Sequence, residues 1–276
     1  MTPKKKRKSN KNNNGVLKFI IGILLVFVFL QWVFVTVNKP RKVSPRVVGP
    51  SEVKIKGRIA IVIDDWGYNL NNFKIVEEIK HPFTAAVLPN LASSVKVAKE
   101  LNARGFEVIL HLPMQPHGKN HLEKNTIRLI SSEQEIKDIV GRDLENIVYA
   151  KGISNHMGSE ATEDARVMGI VFSEIKKRNL YFLDSFVSNK SVCEKLARKS
   201  GLPFAKRDIF LDNQQDPLYI KAQIIKLKKK ARMQGYAIGI GHDRKNTLLV
   251  LKEVMPQIEK EGYKFVLVSD LVKSER

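Results

Sequence analysis

Hydrophobic and polar positions along the chain fall into contrasting regimes. From Phe19 to Val37 the residues run without a charge or a proline. At ~1.5 Å per residue such a run spans roughly 28 Å, close to the hydrocarbon thickness of a bilayer. Before it lies a Lys/Asn tract, Lys4 to Asn14, with no apolar residue, the composition of a disordered tail. After it, Asn38 to Glu52 carries Pro40, Pro45 and Pro50 among basic residues and reads as a semi-extended stalk.

From Ile59 onward the pattern changes again, and short β-branched runs alternate with stretches of helical period. Strands are predicted at Ile59–Ile63, Thr84–Leu88, Glu107–Leu110, Gly152–Ser154, Tyr181–Leu183, Phe204–Leu211, Ala237–Ile240 and Phe265–Val268. Helices fit Asn72–Ile79, Ser94–Ala103, Ser132–Ile147, Asp164–Lys177, Ser191–Ser200, Pro217–Gln234 and Lys245–Glu261. Ser132 with Glu135 has the spacing of a capping box. Gly105, Gly201, Gly235 and Gly262 each follow a helical run, as helix-ending glycines do. The expected class is α/β: a distorted (β/α) barrel of about seven to eight parallel strands, preceded by one N-terminal transmembrane helix. An open doubly wound sheet is the alternative, but no glycine-rich dinucleotide fingerprint or phosphate loop follows the first strand. The organisation read from this is a basic tail (1–18), an anchor (19–37), a linker (38–52) and a barrel domain (53–276).

Charge changes the picture in one respect. The formal net charge is +20, from 48 Lys and Arg against 28 Asp and Glu, and eleven of the basic residues lie in the first fifty, where there is no acid. Much of the basicity therefore belongs to the N-terminal region and gives no reason to expect a nucleic-acid partner. The remaining excess favours anionic surfaces such as phospholipid or an acidic glycan. Seven basic residues precede the apolar run and four follow it, which predicts a cytoplasmic N-terminus and a domain beyond the cytoplasmic (inner) membrane, facing the periplasm or exterior. A cleavable signal peptide is the rival reading. The run is long for its apolar core, and no small-x-small cleavage site follows. Cys193 is the single cysteine, so no intramolecular disulfide forms.

Candidate chemistry lies where the apolar runs end, because α/β folds carry their functional groups just past their strands. Asp64 and Asp65 end the first strand. Adjacent carboxylates there repel each other, and a cation would resolve the repulsion, one Asp on a metal and the other free as general base. A plain turn before Trp66-Gly67 is the structural alternative. His111 ends the third strand and His156 the fourth, the latter beside Asn155, Ser154 and Ser159, which could orient an imidazole through its second nitrogen. One Asp with two His and an open position is a known catalytic arrangement for a divalent metal, usually zinc. His242 ends the seventh strand and could protonate a leaving group, or simply sit in the loop before the next helix. Asp184 ends the fifth and could orient a histidine or cap its own loop. His81, His117 and His121 lie in polar loops with no apolar strand before them and are set aside. The lysines and arginine at 221, 226, 228, 229, 230 and 232 fit a solvated helix face, with lipid headgroups or an anionic polymer as the alternative.

The segments IVIDDWGYN, AAVLPN, EVILHLPMQP, GISNHMGS, FLDS, AIGIGH and FVLVSDL, in this order from about Lys54 to the C-terminus, resemble the divergent polysaccharide deacetylases. These form a bacterial envelope family related to the NodB-type carbohydrate esterases. The resemblance implies Asp64 as base, Asp65 and His111 as metal ligands and His242 as acid. The second histidine of the NodB-type His-x-x-x-His-Pro motif is replaced here by Gln115, and His156 would fill the gap. The arginine and tryptophan motifs of the standard enzymes have no clear counterpart. The expected function is a membrane-anchored, metal-dependent hydrolase that removes acetyl groups from an N-acetylated envelope glycan or peptidoglycan. Its alternatives are an inactive glycan- or protein-binding factor using the same cleft, and, more weakly, a metal phosphoesterase, which would usually need ligands for two metals.

Overall fold

The computed structural model describes residues 13–38 and 55–272. The basic tail up to residue 12 and the stalk from residue 39 lie outside the described residues. The chain divides into two units, 1–52 and 53–276.

In the first unit a single helix, α1 (Asn13–Val37), extends the apolar run by one and a half turns towards the N-terminus. Its Gly15–Val37 portion is long and apolar enough to cross a membrane, and none of it is buried. A signal sequence answers the same description.

The second unit is a sheet of parallel strands: β1 (Gly57–Trp66), β2 (Thr84–Val87), β3 (Glu107–Met114), β4 (Gly152–Met157), β5 (Tyr181–Asp184), β6 (Phe204–Lys206), β7 (Ile209–Phe210), β8 (Tyr236–His242) and β9 (Tyr263–Val266). The order across it is β6-β5-β4-β3-β2-β1-β8-β7, with β9 on β1. The connecting helices are α2 (Phe73–Val76), α3 (Ser94–Ala103), α4 (Glu133–Asn146), α5 (Ala165–Lys177), α6 (Cys193–Ser200), α7 (Pro217–Gln234) and α8 (Lys245–Lys260). This is a parallel half-barrel wrapped by helices. The strand expected at Phe204–Leu211 is broken at Arg207-Asp208. Its first part pairs with β5 and its second with β8, so one bent strand bridges the two ends of the sheet. Asp208 secures the bend: its N–H donates to the Ile238 carbonyl at 2.9 Å, and its Oδ2 accepts the Ile238 N–H at 2.8 Å.

Side-chain alternation then decides what faces where. Ala60, Val62, Ile109, Leu183, Ile238 and Ile240 pack together as an inner cluster. Their alternates Ile59, Ile61, Val108, Leu110 and Phe182 join the helices in the outer core. Glycines at 239 and 241 lie in the outward phase of β8 because a Cβ at Gly239 would come 2.7 Å from Leu227 of α7. The inner layer is plugged at the amino ends of the strands. Glu107 Oε1 accepts Thr84 Oγ1 at 2.8 Å, Tyr181 Oη at 2.9 Å and the Ser269 N–H at 3.3 Å. The strand expected at Phe265–Val268 ends at Val266, and Val268–Asp270 form a 3-10 turn that completes this plug.

The capping expectations are met in part, the box at Ser132 by its serine half. Ser132 Oγ accepts the Glu135 N–H at 3.2 Å, and Gly201 and Gly235 end their helices in the left-handed conformation. The loop after β2 is clamped to α4 by Asn90, whose Nδ2 donates to Asp143 Oδ1 at 2.7 Å. Asp143 Oδ2 is buried without a partner. Burial pushes the Asp143 carboxyl up to about 6, against the opposing bond from Asn90. The folded chain thus keeps a proton that the unfolded chain releases near 3.8, so this residue's contribution makes stability fall as pH rises from about 4 to about 6. Asp143→Asn should remove that component. In urea unfolding its stability relative to wild type should climb by on the order of 3 kcal/mol between the two ends of the window. A difference that does not vary with pH would contradict the assignment.

Candidate active site

The inward phase of β1 runs Ala60, Val62, Asp64, so Asp64 follows the apolar layer into the mouth at the carboxyl ends of the strands. The same phase brings His111 out of β3, Ser154 and His156 out of β4, and His242 out of β8. Strict alternation would send Asp65 the other way. It does not, because the β1–β2 register slips between Ile63 and Trp66 and Asp65 takes a left-handed backbone, φ 63°. A bulge of this kind re-aims a side chain, at a cost in backbone strain of order 1–3 kcal/mol. It places two consecutive carboxylates in one opening.

Asp65, His111 and His156 converge there, with ligand-capable atoms all within 4.8 Å of one another. Asp65 Oδ1 lies 3.1 Å from His156 Nδ1 and 3.4 Å from His111 Nε2. Four-coordinate zinc with bonds of ~2.0–2.1 Å separates its ligands by roughly 3.3 Å, so the donors fit such an ion in type and in spacing. His111 is held by Ser154, whose Oγ is 2.8 Å from Nδ1, which leaves Nε2 to face the opening. Asp64 Oδ2 stands 3.6 Å from the same nitrogen, and Asp64 Oδ1 is buried with no hydrogen-bond partner.

Electrostatics separates the two carboxylates. Burial pushes Asp64 well up, and the Asp65 and Asp212 charges add to it, with Arg207 opposing. Burial also acts on Asp65, but bonds and charge from His111 and His156 overcome it and hold that carboxyl far below its ordinary value. Burial lowers His111 to about 4, which keeps its imidazole neutral and able to bind a cation.

His242 faces Asp64 across the β1–β8 ladder and brings Nε2 to 3.8 Å from Asp65 Oδ2. Its orientation is set by a residue that the sequence reading missed. Asp212, fully buried just beyond β7, lies with Oδ1 2.8 Å from His242 Nδ1, and its Oδ2 accepts the His242 N–H at 2.9 Å and Thr247 Oγ1 at 2.7 Å. The ring of Phe210 stacks on the His242 imidazole at 5.2 Å, and the Arg207 guanidinium lies over the same Phe210 ring at 4.5 Å. Arg207 also donates to the carbonyls of Ser185 and Phe186, at 2.6 and 2.7 Å.

Two other expected residues serve the rim. Asn155 Oδ1 accepts the Ser185 N–H at 2.9 Å and its Nδ2 donates to the Met157 carbonyl at 2.7 Å, so it ties the loops after β4 and β5 rather than bonding an imidazole. Asp184 points outward and accepts the Phe186 N–H and Ser191 Oγ, both at 2.7 Å, the loop-capping option of the two. Gln115 joins Glu160 at 2.7 Å and the Leu129 N–H at 3.0 Å.

A family model described as divergent polysaccharide deacetylase matches residues 61–272, from within β1 through the whole of this mouth. The chain belongs to the divergent polysaccharide deacetylases. Among members of known sequence, the chain is 37% identical over 201 residues to the uncharacterized protein YibQ of Escherichia coli K12, covering 73% of this chain and 63% of that one. The match thus spans somewhat under two thirds of that relative. An uncharacterized protein from Agrobacterium tumefaciens C58 has a similar solved structure, with a TM-score of 0.76 at 23% identity over 78% of this chain and 89% of that one. The catalytic domain of a peptidoglycan N-acetylglucosamine deacetylase from Eubacterium rectale is a more distant fold relative, with a TM-score of 0.50 at 14% identity over 76% and 88% of the two chains. The resemblance read from the motifs is therefore right at the level of family and fold.

In this deacetylase-family barrel, Asp212 satisfies three buried or half-buried donors, so removing it should be costly. Asp212→Ala should destabilise the protein by about 3 kcal/mol or more, whereas Thr247→Val should cost about 1 kcal/mol. Urea unfolding of the two variants checks the order, and near-equal losses would show that Asp212 does not hold His242.

Proposed function

We propose that this protein is a membrane-anchored, metal-dependent hydrolase that removes acetyl groups from an N-acetylated glycan of the bacterial envelope, peptidoglycan included. The observation that carries the reading is the placement of two groups of opposite proton role, Asp64 and His242, around a three-ligand set of one carboxylate and two imidazoles. Asp65, His111 and His156 would hold a divalent cation, with zinc the best fit to the donors. The chemistry such a cation supplies is Lewis acidity towards water and towards an acyl oxygen.

The chain's own groups account for the proton transfers. Asp64 takes a proton from the attacking water as its oxygen bonds to the acetyl carbon. A carboxyl raised by burial is a stronger base for this than an ordinary surface Asp once it is ionised, and a cation held by Asp65, His111 and His156 would favour its ionised form. His242 gives a proton to the nitrogen as the carbon–nitrogen bond breaks, because an amine leaves poorly as an anion. The products are acetate and the free amino sugar. Asp212, bonded to Nδ1, fixes the ring, which leaves Nε2 as the donating atom.

With α1 as an uncleaved anchor, the excess of basic residues before it puts the barrel on the outer side of the cytoplasmic membrane. The full-length protein, assayed for acetate release from N-acetylated chitooligosaccharides and peptidoglycan fragments, tests the reading. Asp64→Asn should retain bound metal, measured by elemental analysis, and lose on the order of 10²-fold or more in rate. His242→Ala should harm amides more than activated esters, whose leaving groups need no proton. His111→Ala should lose the metal itself. An Asp64→Asn protein that fully restores an envelope phenotype would favour a glycan- or protein-binding role for the same cleft.

A further inference from the structure

Helix α7 carries a surface that the barrel does not use. It is capped by Asp216, whose Oδ1 accepts the Tyr219 N–H at 2.8 Å, and its inner face is buried through Ile220, Ile224, Leu227 and Ala231. The opposite face should be polar in a helix that meets only water. Instead Leu218 is 74% exposed, Ile225 65% and Met233 77%. Lys226, Lys229 and Arg232 lie among them. Leu218, Ile225, Lys229 and Arg232 follow each other at steps of seven, four and three, which keeps them on one line along the helix.

The flanking lysines are engaged: Lys221 pairs with Glu253 at 2.7 Å, Lys230 with Asp208 at 3.0 Å and Lys228 with Glu261. Among the described residues, Lys226, Lys229 and Arg232 have no acidic partner.

We infer that this face of α7 rests on a membrane surface containing anionic phospholipid. The inference builds on the reading of α1 as an anchor. Cations interleaved with large apolar side chains are what an interfacial helix presents, the first to headgroups and the second to the acyl boundary. A soluble polyanion would satisfy the cations but leave Leu218, Ile225 and Met233 in water. The sixteen residues between the described segments reach at most about 60 Å even when fully extended, so an anchored chain would hold the barrel within that reach of the bilayer. Each cation near an anionic surface adds about a fivefold preference, so three together give a preference on the order of a hundredfold over a neutral bilayer.

The test uses the full chain in lipid nanodiscs, with an environment-sensitive fluorophore on Ile225→Cys. Cys193 is buried and its thiol pushed up by burial, so it stays unlabelled in the folded protein. Nitroxide-bearing lipid should quench the label when phosphatidylglycerol is present and far less in phosphatidylcholine alone. High salt, or the combined Lys226→Glu, Lys229→Glu and Arg232→Glu changes, should abolish the quenching. A label at Ile130, 87% exposed on another element, should stay unquenched throughout. Equal quenching in the two lipids, or survival of the charge reversal, would overturn the inference. So would an equal change on adding dextran sulfate to neutral discs, which would identify a polyanion instead. If the chain fails to enter discs, the anchor reading falls. Sedimentation with anionic but not neutral vesicles, lost on charge reversal, would then still support the α7 face, and sedimentation with neither would reject it.

Discussion

Two carboxylates on consecutive residues, one of them buried, set the terms for everything around the mouth of this barrel. Like charges that close, away from water, cannot both persist without compensation. The structure separates their situations instead of their positions. Asp65 lies against two imidazoles and is driven to the ionised form, while Asp64 has an oxygen with no partner and is driven towards the protonated one. The left-handed turn at Asp65 makes this possible, since an unbroken strand would have put the second carboxylate among the helices. The strain at one backbone position thus creates a pair of chemically different acids from identical side chains.

The closure of the sheet matters as much. The bend at Arg207-Asp208 splits one strand between two partners, and the residues on either side of it reach the site from the seam. Arg207 braces the loop after β5 and covers Phe210, Phe210 stacks on His242, and Asp212 holds the same imidazole from below. The His242 side of the mouth is therefore assembled by the irregular seam, and the Asp65–His111–His156 side by the strands β1, β3 and β4. Exposed strand edges at the seam are covered by Asp208, which pairs with Ile238 through both backbone and side chain.

How far the sequence carried the reading differs between these two halves. Alternating apolar runs that end in Asp64, His111, His156 and His242 made these four positions legible, because strands put residues of like parity on one face. Asp65 was found from its type, but the turn that aims it was not, since nothing in the local pattern marks a left-handed aspartate. Asp212 follows a predicted strand as directly as the histidines do, and the same rule would have found it. The expected strand runs unbroken from Phe204 to Leu211, just short of it, and periodicity cannot say when a strand changes neighbours. Asn155 and Asp184 show the opposite limit. Their positions at strand ends are right, but their hydrogen bonds go to adjacent loops, and only the three-dimensional path of those loops determines that.

The plug of Glu107, Thr84 and Tyr181 at the far end of the barrel has a bearing on traffic. Those groups saturate one another and the turn at Val268–Asp270, so they leave no polar route along the axis. The barrel is a cup and not a tube. Whatever enters at the aspartates must leave past them, and a long polymer could reach them only as an edge laid across the rim, never as a thread drawn through the fold.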